Sequence, residues 1–114
     1  MPPFARRFAR PRKRPEPGKM NSTEAKYAAH LETLKATGAI VDYRYESLKF
    51  RLSDRTFYTP DFTVITEECV ELHEVKGFWE DDARVKIKVA ADQYPWFKFV
   101  AIQIRKKELI REEF

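Results

Sequence analysis

Apolar residues recur at Tyr27, Leu31 and Leu34, the spacing of one helix face. Asn21 precedes them and Glu24 follows it by three residues, a capping arrangement in which Asn replaces the usual Ser or Thr. The helix this predicts runs to about Thr37 and stops at Gly38. From residue 40 the period turns to alternation. Val41, Tyr43 and Tyr45 share one parity and Leu48, Phe50 and Leu52 the other, so this strand carries a bulge or bend near Glu46 and Ser47. Ser53-Asp54-Arg55 reads as a turn. Phe57 to Val64 is a second strand, and Pro60 makes it an edge or distorts it locally. After the turn Thr66-Glu67-Glu68, Cys69 to Lys76 forms a third strand ended by Gly77. A second helix runs from about Asp81 to Gln93, with Ala83, Ile87, Ala90 and Tyr94 on one face. Val85 and Val89 lie opposite, which predicts cover on both sides. Tyr94-Pro95 stops this helix, Trp96 to Ile104 is a final strand, and Lys106 to Phe114 is a short terminal helix or a loose end. The class is α/β and the order αβββαβ, with no internal repeat and no glycine-rich phosphate loop.

A length of 114 residues allows one domain, and 43% hydrophobic with 14% aromatic residues supplies a modest core. No apolar run approaches the ~18 residues that a membrane helix needs. The basic start has neither an apolar stretch behind it nor a small-residue cleavage site, so no secretory signal is expected. The single cysteine, Cys69, excludes an internal disulfide and a multi-cysteine zinc site, and points to a reducing compartment.

Charge divides the chain in two. Residues 1–20 carry Arg6, Arg7, Arg10, Arg12, Lys13, Arg14 and Lys19 against Glu16, a net +6, so residues 21–114 carry −2 of the total +4. Five of the seven prolines lie in the same stretch. Residues 1–20 therefore read as an extended basic arm and 21–114 as the folded domain. Cations interrupted by Phe4 and Phe8 suit a nucleic acid, with phosphates for the charges and bases for the rings. A solubilising tail or a carrier-read signal is the plainer alternative, and two phenylalanines are a weak membrane anchor.

Two strings carry candidate chemistry, Tyr58-Thr59-Pro60-Asp61-Phe62 and Glu74-Val75-Lys76-Gly77. On a strand Glu74 and Lys76 point the same way, roughly 6.6 Å apart, while Val75 points to the other face. Asp61 follows a proline, where regular pairing is expected to fail and free its carboxylate. If the two strands are neighbours, Asp61, Glu74 and Lys76 converge at one end of the sheet. Crowded carboxylates repel and take a cation; oxygen ligands without sulfur or paired histidines suit Mg2+, with Mn2+ in its place. Metal-assisted attack of water on a phosphodiester is the chemistry this set serves best. A surface Glu74–Lys76 ion pair of little energetic weight explains the spacing as well. Glu24 continues the buried stripe of the first helix one turn back; from that helix alone, capping and the helix dipole account for it.

A Pro-Asp pair, a gap of a dozen residues and Glu-x-Lys within an αβββαβ order resemble the PD-(D/E)XK nuclease superfamily. Within it the chain resembles the phage endonuclease I family of Holliday-junction-resolving enzymes, and it is similar to small phage and prophage nucleases. The shared pieces are Glu24-x-Lys26 with Leu31-Glu32, then Tyr58 to Phe62, then Glu74-x-Lys76-Gly77-x-Trp79-Glu80, and Arg84, Lys86, Gln93 and Pro95. They run in order across residues 21–102. The resemblance implies a restriction-endonuclease-like core, a central mixed sheet flanked by helices. It implies metal binding by Glu24, Asp61 and Glu74 and catalytic assistance by Lys76, and so replaces the capping account of Glu24. The family enzymes have a longer C-terminal portion than this chain, so dimer contacts located there do not carry over. Val75 stands where the family has a polar residue.

The expectation is a Mg2+-dependent endodeoxyribonuclease acting on branched DNA such as Holliday junctions, in the cytoplasm of a bacterial host, and working as a homodimer. Glu24, Asp61, Glu74 and Lys76 form its site, and Arg6, Arg7, Arg10, Arg12, Lys13, Arg14 and Lys86 its DNA contacts. The segment Val41 to Leu52 is the expected dimer surface. The alternatives are a nuclease of the same fold on linear or replicating DNA, and a non-cleaving nucleic-acid or protein-binding module. Among other residues, His73 is assigned to packing, His30 to the helix flank, and Trp79 either to base stacking or to covering the core.

Overall fold

The computed structural model describes residues 18–114; the arm cations Arg6, Arg7, Arg10, Arg12, Lys13 and Arg14 lie outside the described residues. Helix α1 spans Ser22–Thr37 and closes with Gly38 at φ 83°, a left-handed cap. Its face Tyr27–Leu31 is buried against Phe62, Val64, Val75, Val100 and Ile102. Strands β1 (Asp42–Tyr45), β4 (Phe62–Ile65), β5 (Val70–Lys76), β6 (Lys98–Arg105) and β7 (Glu108–Glu113) form one mixed sheet in the order β1-β4-β5-β6-β7. Only β5 and β6 run parallel. Helix α2 (Asp81–Gln93) makes their crossover. A hairpin of β2 (Phe50–Ser53) and β3 (Thr56–Tyr58) forms a separate two-stranded sheet. Its Phe50, Leu52 and Tyr58 pack with Leu72, Phe99, Ala101 and the α2 residues Ile87 and Ala90. The main sheet thus has α1 on one face and α2 with the hairpin on the other.

Both helices and the α/β class match the sequence reading. Four local expectations need correction. The parity break at Glu46 is no bulge within one strand: Glu46 sits at φ 47° and diverts the chain from the main sheet into the hairpin. Pro60 likewise separates two strands, β3 and β4, that belong to different sheets. The segment Lys106 to Phe114 is neither helix nor loose end, because β7 pairs antiparallel with β6 from Arg105↔Glu108 to Val100↔Glu113. Val85 stays exposed, so α2 is covered on one side only. The expected dimer surface changes with the first of these, since Phe50 and Leu52 are buried inside the protomer and only Val41 and Leu48 remain open apolar positions of that segment.

Candidate metal and phosphodiester site

The end of the β4–β5 ladder builds the site. Regular pairing stops at Phe62↔His73. Continued, it would set Val75 opposite Pro60, whose ring has no N–H to exchange. The Asp61 carboxylate takes over, with Oδ2 accepting the Val75 N–H at 2.8 Å. The same strand alternation turns Val75 into the α1-side core and leaves Glu74 and Lys76 on the hairpin side. Glu74 Oε1 accepts the Tyr58 hydroxyl at 2.9 Å, and Lys76 Nζ stands 3.5 Å from Glu74 Oε2. Asp61, Glu74 and Lys76 therefore meet, as the spacing of their strings predicts.

Glu24 arrives from the opposite face of the sheet, and it does two things. Its backbone N–H donates to Asn21 Oδ1 at 2.8 Å while its Oε1 accepts the Asn21 N–H at 2.9 Å, a complete capping box. The Tyr45 hydroxyl adds a bond to the same oxygen at 3.0 Å. The carboxylate also lies near enough to Asp61 to raise that residue's affinity for a proton. Capping and proximity to the site coexist in one residue.

Electrostatics separate this end from an ordinary surface ion pair. Asp61 is held well above the usual carboxylate range by burial first and then by the Glu74 and Glu24 carboxylates, against the Val75 N–H. Glu74 is also raised, by burial, although Lys76 and the Tyr58 hydroxyl oppose the rise. Burial and the neighbouring Glu74 keep Tyr58 a phenol, hence a donor. Two crowded acids with raised affinities for protons are a poor arrangement for stability and a good one for replacing a proton by a cation.

Among the described residues no three His, Cys, Asp or Glu side chains are arranged to hold an ion as they stand. Glu24 comes from the α1 side and Glu74 from the hairpin side, and both act on Asp61. The donor chemistry nevertheless fits a hard divalent cation, since it is all oxygen and burial already drives these carboxylates to seek positive charge. Asp61 Oδ1 and Glu24 Oε2 are the oxygens that the hydrogen bonds above leave for it.

Other residues fall where chemistry expects or away from it. Lys86 lines a groove of about 540 Å³ with Tyr58, Glu74, Lys76 and Asp82, next to the carboxylates. Arg84 instead forks onto Glu112 at 2.8 and 2.6 Å and ties α2 to β7. Gln93 donates to the Leu52 carbonyl at 2.7 Å and ties α2 to the hairpin. Trp79 is partly buried and packs against the α2-side core. His73 is buried on the α1 side, bonded to the Tyr27 hydroxyl at 2.6 Å and Glu71 Oε1 at 2.8 Å. His30 lies exposed beside Tyr27. Sequence reading omits Tyr58 from the site, although the signal is present, because Tyr58 sits in the Pro-Asp string three residues before Asp61.

No protein-family model, curated protein or solved structure matches the chain.

Proposed function

We propose that this chain is a divalent-metal-dependent endodeoxyribonuclease of the PD-(D/E)XK type, with a restriction-endonuclease-like core, acting on branched DNA. One observation carries the reading: Asp61 and Glu74 are buried together at the end of β5, each with a raised affinity for a proton, with Lys76 beside them. A structural ion pair does not need a second buried acid. Counting only the main sheet and the helices, the order begins α-β-β-β-α-β, the order of that nuclease core, with the β2–β3 hairpin inserted and β7 appended.

Asp61 and Glu74 would hold Mg2+ or Mn2+, with Glu24 as the third carboxylate. When bound, such an ion polarises the phosphate and lowers the charge on the leaving 3′ oxygen. The protein's own groups do the rest. Lys76 orients the attacking water and steadies the added negative charge as the phosphorus gains its fifth oxygen. The Tyr58 hydroxyl fixes Glu74 in place and the Val75 N–H fixes Asp61, so neither carboxylate has to be ordered at the moment of reaction. Water forms the new P–O bond as the bond to the 3′ oxygen breaks, leaving a 5′ phosphate and a 3′ hydroxyl.

Opposed cuts in a junction need two such sites, most simply from a two-fold homodimer. Incubating the full chain with junction, forked, nicked and linear duplex DNA, with Mg2+ and with Ca2+, tests both halves of the proposal. Cleavage with Mg2+ and binding without turnover with Ca2+ are expected, fastest on the branched substrates. No cleavage of any substrate with Mg2+ or Mn2+ would end the nuclease reading; equal rates on linear duplex by a stable monomer would end the branched one.

A further inference from the structure

Two phenylalanines beside the carboxylates are left in water. Phe78 is 76% exposed and Phe57 is 42% exposed, although buried positions are close to both. Phe57 lines the groove that holds Glu74, Lys76 and Lys86. Phe78 lines a second groove, about 650 Å³. Lys76 and Glu80 line both, so the two grooves adjoin at these residues. The Lys49 ammonium lies 4.5 Å from the centre of the Phe57 ring, a cation on an aromatic face.

A protein or lipid partner would ask for a continuous apolar patch. Here the rings are separated by Lys76, Glu80 and Lys86, so each aromatic face is isolated among charges. That alternation of ring and cation matches a single nucleic-acid strand, in which base and phosphate alternate. We propose that Phe57 and Phe78 are base-stacking platforms in the two grooves that adjoin at Lys76, and that these grooves take a nucleotide that has lost a stacking neighbour, as at a fork or branch point. The inference rests on the nuclease reading and names what that site selects. In a continuous duplex both faces of every base are already covered, and the rings gain nothing. At a branch one face is open, and stacking on Phe78 returns what the break in the helix removed. The acidic groups Glu74, Glu80 and Asp82 oppose the phosphate in the same grooves, so the stacking shows only when a divalent cation is present.

The experiment uses the full chain with Ca2+, a forked DNA carrying 2-aminopurine at the branch, and a linear duplex of the same sequence. Wild type is expected to change the 2-aminopurine emission and to prefer the fork. Phe78→Ala should lose about tenfold or more in fork affinity, with duplex affinity unchanged and the emission change abolished; Phe57→Ala should lose less, because Lys49 covers one ring face. Phe78→Trp should restore both signals. An exposed side chain can be truncated without unfolding, and an unaltered melting temperature verifies it. If wild type cuts DNA with Mg2+ and Phe78→Ala matches it on fork and duplex alike, stacking is wrong and the nuclease reading stands. If wild type cuts nothing, the nuclease reading falls and takes this inference with it.

Discussion

Strand β5 buries acids on both of its faces, and the two faces treat them in opposite ways. Toward α1, Glu71 accepts from His73 at 2.8 Å and from Arg111 at 3.3 Å, and His73 bonds onward to Tyr27. Every polar group there has an opposite charge or a donor, and Glu71 is held below the usual carboxylate range, first by His73 and then by Arg111 against its own burial. Toward the hairpin, Glu74 meets Asp61, and both acids are raised. A depressed acid marks a closed network that holds the fold, whereas crowded raised acids mark a site kept short of positive charge. Two residues of strand separate Glu71 from the hairpin-side site, yet the partners on each face decide the role.

The sharpest way to break the comparison is to remove acids from each face in turn. Alanine at Asp61, Glu74 or Lys76 is expected to lower cleavage by about 10³-fold or more, since each group serves charge that develops only in the transition state. The same Asp61→Ala change should leave the protein folded and, without metal, within about 2 kcal/mol of wild type, because losing a crowded buried acid and stranding the Val75 N–H act in opposite directions. Cleavage kinetics and urea midpoints on the same samples check both. Full activity of Asp61→Ala with Mg2+ would remove the distinction between the faces.

His73→Ala on the other face should do the reverse. It strands the buried Tyr27 hydroxyl and leaves Glu71 to Arg111 alone, at a cost of about 1–3 kcal/mol in urea unfolding. Cleavage under conditions where the variant is folded should change little. A large loss of activity with unchanged stability would assign His73 to the chemistry instead.

The helices and the β5 strand are legible in the sequence because each is governed by nearest neighbours: a 3.6-residue stripe, a cap, a proline stop. Strand β7 is not. Its turn is Lys106-Lys107, with φ 53° and 78°, in place of the Asn-Gly or Asp-Gly pair that such a tight hairpin prefers. Its core-neutral sequence Glu-Leu-Ile-Arg-Glu-Glu has no period to read, and its place is held by pairing with β6 and by Glu112 on Arg84. The hairpin β2–β3 reads as pieces of longer strands because sheet membership is a long-range property that alternation cannot report. At the site, Asp61, Glu74 and Lys76 are legible from two short strings, given that their strands adjoin. The double engagement of Glu24 is not, since a capping box and a buried acid look alike on one helix.

Acidity offers a finer test, because the two faces carry opposite signs. On the α1 side burial keeps His73 below its ordinary 6.5, so the unfolded chain takes up a proton there that the native state refuses. Stability from that face is complete above about pH 6.5, declines as the pH falls below it, and declines again as Glu71 is protonated below its ordinary 4.5. On the hairpin side Asp61 keeps a proton that the unfolded chain releases near 3.8, so its contribution is complete below that pH and is lost as the pH rises through its elevated native value. Urea midpoints across pH should therefore fall at both ends. Asp61→Asn should lessen the decline that runs upward from about pH 3.8, and His73→Gln the fall below about pH 6.5. A variant that moves the wrong limb would show that the two faces are coupled through β5.

The smallest effect on the chemical step is expected from the arm. Its six cations from Arg6 to Arg14 precede Pro15 and Pro17 and none is among the site residues, so they are expected to add affinity without touching the reacting phosphate. Deleting residues 1–17 leaves Asn21 to cap α1 and leaves the Lys19 carbonyl, which accepts the Tyr45 hydroxyl at 3.3 Å. The site is then intact. The slope of log affinity against log salt should become shallower by about 0.9 for each phosphate that the arm no longer neutralises, at most about 5 if all six cations bind phosphate. At saturating protein the cleavage rate should equal that of the full chain, because the cations never entered the transition state. Lys76 behaves differently: a cation beside Glu74 changes the rate at saturation, whereas cations on the arm change only the concentration at which saturation is reached. An unchanged salt slope would assign the arm to something other than DNA, and a slower saturated rate would place it at the active site.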